Sequence, residues 1–165
     1  MMRNLSAKYT GIVTGMLMIA AALFMYYILK LPETGKAQYI IWSIYITGII
    51  LSLIFFKRSF PDEHSFKRYF SRGFKTFIPA ALLIVLYTFI FYKINPQILE
   101  RAITDNNALI LKEGNRTSPE IEANAEKFRG IFIPGMLMMN TIIYLVLGSL
   151  VSMIGGGFLS QNRNA

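Results

Sequence analysis

The chain of 165 residues has no cysteine, and it has only one histidine and one tryptophan. The lack of cysteine excludes disulfides, a thiol nucleophile and a thiolate metal site. The histidine follows Asp62 and Glu63, but one imidazole and two adjacent acids cannot converge on a metal ion from a short run. The motifs G-x-S-x-G and H-E-x-x-H are also missing. We therefore expect that the protein is not an enzyme and that it has no metal and no cofactor.

Charge is missing from four long windows of the sequence. No Asp, Glu, Lys or Arg occurs in them, so all 26 charged residues lie in the other 74 positions. A soluble domain carries charge along every exposed helix face, and a disordered chain lacks this much apolar mass. The windows are continuously apolar rather than alternating, which excludes barrel strands. The pattern predicts an all-α polytopic membrane protein.

The four windows predict a bundle of four transmembrane helices in a single membrane domain over residues 1–165. A hydrocarbon core of about 30 Å needs roughly 20 helical residues. The third window is shorter, but the alkyl stems of Lys75 and Lys93 extend it. In the last window, Pro134-Gly135 and Gly155-Gly156-Gly157 are expected to interrupt the helix. The predicted spans are about 9–29, 37–56, 76–92 and 132–154.

The segment before the third span has an amphipathic helical repeat from residue 66 onward. Phenylalanines fall on one face, and Lys67, Arg68, Arg72 and Lys75 fall on the other. A helix of this kind lies in the headgroup plane of a bilayer. We expect these four residues to contact anionic lipid headgroups, and we assign the net charge of +8 to lipid contact and not to nucleic acid. They could select a specific lipid or a partner, or serve only as a general anchor.

Residues 93–129 are predicted to form an extramembrane helical hairpin between spans three and four. Asn95-Pro96 is a helix-start signal, Gly114 a stop, and Ser118-Pro119 a second start. Six basic and six acidic residues balance one another in this segment. A solvated hairpin accounts for this composition.

Small and polar residues in the spans predict close helix packing. Gly11 and Gly15 form a G-x-x-x-G pair, and Gly148 and Ser152 repeat at the same spacing in the last span. Such residues let helix backbones approach closely in lipid, and the amide of Asn140 should bond across to another helix. The pattern leaves open whether the packing occurs within one chain or between chains.

Three stretches resemble a family of small four-helix membrane proteins of unknown function that is widespread in Bacteroidota. They are residues 7–15 (AKYTGIVTG), 69–77 (YFSRGFKTF) and 92–96 (YKINP). The last span, which ends in glycines and other small residues, also fits. The resemblance implies a bacterial inner (cytoplasmic) membrane and supplies no activity and no site residues.

The function expected from these features is that of a structural or accessory subunit of the inner membrane. It would act through helix packing, with itself as a homo-oligomer or with a larger membrane complex. The alternative is a small-solute transporter or channel that uses uncharged polar groups. No span contains an ionisable acid, base or histidine, which counts against a pump or an ion-driven carrier.

The distribution of basic residues predicts that both termini and residues 57–75 face the cytoplasm, with 93–129 outside. The first side holds nine Lys and Arg in 30 positions, and the second holds eight in 44. The chain has no cysteine, so single cysteines can be placed and labelled directly. A cysteine at Ser118 should react with an impermeant maleimide only from the outside, and labelling only from the cytoplasmic side would reverse the orientation.

Overall fold

The structure, a computed structural model, describes residues 6–31, 35–113 and 117–161. These residues are organised in five α-helices and one short π-helical segment, with no strand among them. The α-helices are α1 (Ala7–Leu23), α2 (Lys36–Ser59), α3 (Phe66–Ile94), α4 (Pro96–Glu113) and α5 (Ser118–Ser160), and the π-helical segment Phe24–Ile28 follows α1. The all-α prediction is confirmed for this part of the chain.

Four of the helical stretches are long and apolar enough to cross a membrane, namely Ala7–Ile28, Ala37–Ser59, Phe66–Ile94 and Ser118–Ser160. The last three contain the spans predicted at 37–56, 76–92 and 132–154, and the first covers the span predicted at 9–29 except for its last residue. Large apolar side chains remain exposed along all four. In a hydrocarbon environment these exposed side chains need no protein partner, since lipid is as apolar as they are.

The observed helices extend beyond the predicted spans. Residues 66–75 are the first turns of α3, not a separate helix. The helix continues through Gly73, which packs against the Ser152 side chain of α5. In the same way, residues 119–129 begin α5. A capping box starts this helix: the Glu120 carboxylate accepts hydrogen bonds from the Thr117 N–H at 2.8 Å and from its hydroxyl at 3.0 Å.

The interruption expected at both ends of the last span is wrong. Pro134 lies inside α5, and the helix runs through the three glycines to Ser160. In an apolar environment, breaking the helix would leave more backbone groups unsatisfied than the one hydrogen bond that proline removes. Two of the glycines also pack closely against neighbouring helices. A Cβ on Gly155 would lie 2.8 Å from Leu53 Cδ1 of α2, and a Cβ on Gly156 would lie 3.3 Å from Tyr69 Cβ of α3.

The end of the first span has a feature that the sequence pattern did not predict. The chain widens into the π-helical turn Phe24–Ile28, and Lys30 then adopts a left-handed conformation with φ 53°. This conformation lets the Leu31 N–H bond to the Met25 carbonyl at 3.0 Å, which satisfies an end carbonyl of the helix. The rest of the predicted turn, residues 32–34, lies outside the described residues.

The chain divides into two compact units. The larger unit comprises the described residues up to Ile84 and from Thr141 onward, and the smaller unit comprises Val85–Asn140. In the larger unit, α1, α2, the first part of α3 and the last part of α5 pack around buried tyrosine, isoleucine and leucine side chains. The fully buried members of this core include Met18, Tyr45, Ile49, Leu53 and Tyr69.

The smaller unit contains the end of α3, all of α4 and the first part of α5. Asn95 separates α3 from α4. Its side-chain amide donates to the Phe91 carbonyl at 2.9 Å, and its backbone carbonyl accepts from the Ile98 N–H. Tyr92 and Phe132 meet edge to face, with ring centroids 5.4 Å apart. Aromatic contact therefore joins α3 and α5 in this unit.

The tight contact at Gly11 generates a test of the larger unit. A Cβ at this position would collide with the Thr76 carbonyl oxygen and would lie 3.0 Å from the carbonyl carbon. Gly11→Ala should therefore lower the stability of the detergent-solubilised protein by about 1–3 kcal/mol through overpacking, measured as a fall in Tm. Gly157→Ala is the matched control, because no atom of the described residues lies within 4 Å of a Cβ there. Equal Tm values for the two variants would contradict the contact.

Candidate functional site

The first glycine pair lies against α3. A Cβ on Gly15 would lie 3.2 Å from the Ala80 Cα and 2.8 Å from the Leu83 side chain, one helical turn beyond the Gly11 contact with Thr76. Both glycines are buried. The two helix backbones can approach this closely only because neither glycine has a side chain.

The small residues of the last span lie against α2 and α3. A Cβ on Gly148 would meet the Phe77 ring and would lie 2.6 Å from the Tyr45 hydroxyl. Ser152 is fully buried, donates to the Gly148 carbonyl at 2.7 Å, and faces Gly73 of α3. The structure thus brings the predicted packing residues of both spans to helices of the same chain within the larger unit.

Asn140, the fifth predicted packing residue, belongs to the smaller unit. Its side-chain amide donates to the Thr88 hydroxyl across α5 and α3, at a donor–acceptor distance of 3.5 Å. This is a long hydrogen bond, so it orients the Asn140 side chain but contributes little to the stability of the protein.

A buried hydroxyl pair links α2 and α3. Ser52 and Thr76 are both fully buried, and their hydroxyl oxygens are 2.7 Å apart. The Arg72 Nε donates to Ser52 Oγ at 3.0 Å, and the guanidinium lies 5.9 Å from the centroid of the Phe56 ring. The pair therefore holds a basic side chain in place at the end of the bundle where α3 begins.

A second buried polar contact joins α2 and α5. The Tyr45 hydroxyl donates to the Tyr144 carbonyl at 2.8 Å, and the two rings meet edge to face. The Tyr144 hydroxyl in turn accepts from the Gln38 side chain at 3.3 Å. These tyrosines were not identified from the sequence, because tyrosine is common in membrane spans and no spacing singled them out.

The four basic residues predicted to contact lipid line one open cavity of about 860 Å³ together with Lys8 of α1. We call it the basic cavity. The other lining residues are Ser6, Ala7, Phe56, Ser65 and Ser71. None of the ten described lining residues is acidic, so the cavity concentrates positive charge where α1 and α3 begin and α2 ends. The amphipathic pattern located four of the cations, but only the fold reveals that Lys8 joins them.

Glu63 lies at the edge of this region, in the loop before α3. Its carboxylate accepts hydrogen bonds from the Ser65 N–H at 2.9 Å and from the Arg68 guanidinium, with which it forms an ion pair. The pKa of Glu63 is lowered, first by the hydrogen bond from Ser65 and further by Arg68. Glu63 is therefore charged at neutral pH and offsets one of the five cations.

A separate, largely apolar groove of about 510 Å³ runs between α1 and α2. We call it the α1–α2 groove. Its lining is rich in small hydroxyl-bearing residues, and its remaining walls are aliphatic or aromatic. The hydroxyl-bearing members besides Tyr9 are Thr10, Thr14, Ser43 and Thr47, next to Gly48. Thr10, Thr14 and Ser43 donate to backbone carbonyls of their own helices, so the groove presents mainly carbon to its surroundings.

The fold and these sites define the class of the protein: an α-helical protein whose described residues include four helices long and apolar enough to span a membrane. Residues 9–161 match the model of a protein family of unknown function, DUF4199. The chain belongs to this family, which confirms the resemblance to a family of unknown function seen in the sequence. No match was found among curated proteins or among solved structures.

The contribution of the Ser52–Thr76 hydroxyl pair to stability can be tested by substitution. Ser52→Ala removes the acceptor of the Arg72 Nε and one partner of the Thr76 hydroxyl, so it should destabilise the protein by about 1–3 kcal/mol. Ser43→Ala is the matched control, because Ser43 is exposed and bonds only to the Tyr39 carbonyl of its own helix. Thermal unfolding in detergent measures both, and an unchanged Tm for Ser52→Ala would refute the role of the pair.

Proposed function

We propose that this protein is a non-enzymatic structural or accessory subunit of the bacterial inner membrane, which acts by packing against a helix of a membrane partner. The observation that carries the proposal is the α1–α2 groove, an apolar surface with a floor of small residues. In lipid, association depends on close van der Waals contact, and small residues allow it.

The interior of the larger unit supports a structural role. Its polar groups are used in contacts within the chain: the Ser52–Thr76 pair and the bond from Tyr45 to the Tyr144 carbonyl are examples. Its glycine faces lie against α2 and α3. These interactions stabilise one arrangement of helices, and the α1–α2 groove remains open beside them.

The groove fits a helix of another polypeptide better than a second copy of its own glycine stripe, because Gly11 and Gly15 face α3. Thr47 and Ser43 are exposed in the groove one helical turn apart, between Leu51 and Ile40. A partner helix with a complementary ridge of larger apolar residues would fill this space, and a homo-oligomer is the second way of filling it.

The proposed placement in the membrane follows the basic residues. The start of α3 and the basic cavity lie at the cytoplasmic surface with both termini, and the first turns of α3 rest among the headgroups. The segment 93–129 then forms a helical hairpin outside the membrane, held by an ion pair between Arg129 and Glu100 at 3.0 Å. The exposed position of this pair gives it a modest contribution to stability.

The alternative of a small-solute carrier has less support. It was based on uncharged polar groups such as Asn140, and that amide is directed at Thr88 in the smaller unit. The two larger polar clusters, at Ser52 and at Tyr45, are buried among core side chains. Flux measurements on liposomes that contain only this protein would distinguish a carrier from an accessory subunit.

The proposed packing surface can be tested with a bulky substitution in the groove. Thr47→Phe should leave the monomer folded, because Thr47 is exposed, but should reduce recovery of a stoichiometric partner from mild detergent at least tenfold. Leu82→Phe is the control, since Leu82 is 66% exposed on α3 and outside the groove.

Mass spectrometry of the purified complexes provides the readout. Loss of a heterologous partner in Thr47→Phe alone supports the proposal, whereas loss of a homodimer would identify a second copy as the occupant. Unchanged complexes in both variants, or the absence of any complex with the wild-type chain, would contradict an accessory role for the groove.

A further inference from the structure

The basic cavity is an open depression formed by several elements of the fold and not by a single helix face. Three elements contribute to it: the start of α1 with Lys8, the end of α2 with Phe56, and the first turns of α3. Its volume of about 860 Å³ is within the range of small-molecule sites. A helix lying alone on the bilayer would offer four of these charges, without Lys8 and without the walls that α1 and α2 supply.

The charge of the cavity is only partly compensated by the protein. Arg68 is paired with Glu63, but Lys8, Lys67 and Lys75 have no carboxylate within 4.0 Å among residues 6–31, 35–113 and 117–161. At least three positive charges therefore face the same space. One phosphodiester, with a single negative charge, would leave most of this charge uncompensated.

The neutral lining residues also suit phosphate. Ser6, Ser65 and Ser71 place hydroxyl groups on the cavity wall, and a hydroxyl can donate a hydrogen bond to a phosphate oxygen. Arg72 is held in position by Ser52 and by the Phe56 ring, so a planar guanidinium is preorganised beside the cavity. A preorganised donor loses less entropy when it binds an anion.

We propose that the basic cavity binds the headgroup of a phospholipid that carries two phosphates. A lipid is favoured over a free anion because the cavity adjoins three helices able to span a membrane, where acyl chains would lie beside apolar helix surfaces. This inference rests on the proposed position of the start of α3 at the membrane surface. It assigns that surface a ligand of defined charge and gives Lys8 a role that the amphipathic pattern did not suggest.

Native mass spectrometry of the detergent-purified chain tests the site, with cardiolipin, phosphatidylglycerol and phosphatidylcholine as probes. Cardiolipin, with two phosphates, should bind more tightly than phosphatidylglycerol, and phosphatidylcholine should bind most weakly. Lys8→Gln and Lys75→Gln should each weaken cardiolipin binding about fivefold. Both side chains are exposed, so the variants should fold normally.

Arg58→Gln is the matched control, because it removes an exposed positive charge at the end of α2 outside the cavity. Cardiolipin affinity that falls for Lys8→Gln and Lys75→Gln but not for Arg58→Gln supports the site. Equal losses in all three variants would reduce the effect to general surface charge, and equal affinity for cardiolipin and phosphatidylglycerol would refute the preference for two phosphates. Either result overturns the proposal.

Pyrophosphate at millimolar concentration distinguishes a free anion from a lipid. Weak competition by pyrophosphate supports a lipid ligand, whereas displacement of cardiolipin at an affinity equal to that of the lipid would assign the cavity to a soluble diphosphate and overturn the proposal. Membrane flotation of the same variants separates a failure of the lipid site from a failure of the α1–α2 groove proposal. A chain that floats with membranes but shows no lipid selectivity would fail this inference and leave the α1–α2 groove proposal intact.

Discussion

The close approach of α1 to α3 is the contact on which the rest of the larger unit depends. Gly11 lies directly against the Thr76 backbone, and the same threonine shares a short hydrogen bond with Ser52 of α2. One residue of α3 therefore fixes the positions of two other helices. In a membrane no hydrophobic force draws helices together, so such contacts, each worth little alone, determine the arrangement.

This arrangement also places the charged end of the molecule. Ser52 and Thr76 lie at the boundary between the apolar part of α3 and its basic first turns, and Arg72 bonds to the same pair. Packing in the interior and the position of the cations are thus coupled through one polar cluster. The basic cavity is a consequence of how the helices approach, and Arg72 is the lining residue that is bonded directly to the packing cluster.

The number and approximate location of the apolar helices could be predicted from the sequence, because an uncharged apolar run of about 20 residues matches the thickness of a bilayer core. The ends of the helices could not be predicted in this way. Pro134 and the three glycines predict interruptions from local propensity, but α5 runs through all four, because in an apolar environment a break would leave more backbone groups unsatisfied. The π-helical turn at Phe24–Ile28 has no signal in the hydrophobic pattern.

The candidate sites were predictable to different degrees. Basic residues on one face of α3 stand out in the sequence because their spacing is local, whereas Lys8 joins them only through the fold. The pair Gly11 and Gly15 signals close packing but not the identity of the neighbour, and the structure supplies that neighbour as α3. Tyr45 and Tyr144 pair across 99 positions of sequence, a separation at which one sequence carries no information.

In the larger unit, the small residues pack helices of one chain against one another. A disulfide test on the cysteine-free chain addresses this packing directly, because a Cβ at Gly156 would lie 3.3 Å from the Tyr69 Cβ, close to the separation of about 3.5–4.5 Å in disulfides. The double variant Gly156→Cys, Tyr69→Cys should form an intrachain disulfide in native membranes and remain monomeric on non-reducing gels. Disulfide-linked dimers, or free thiols after mild oxidation, would contradict the account.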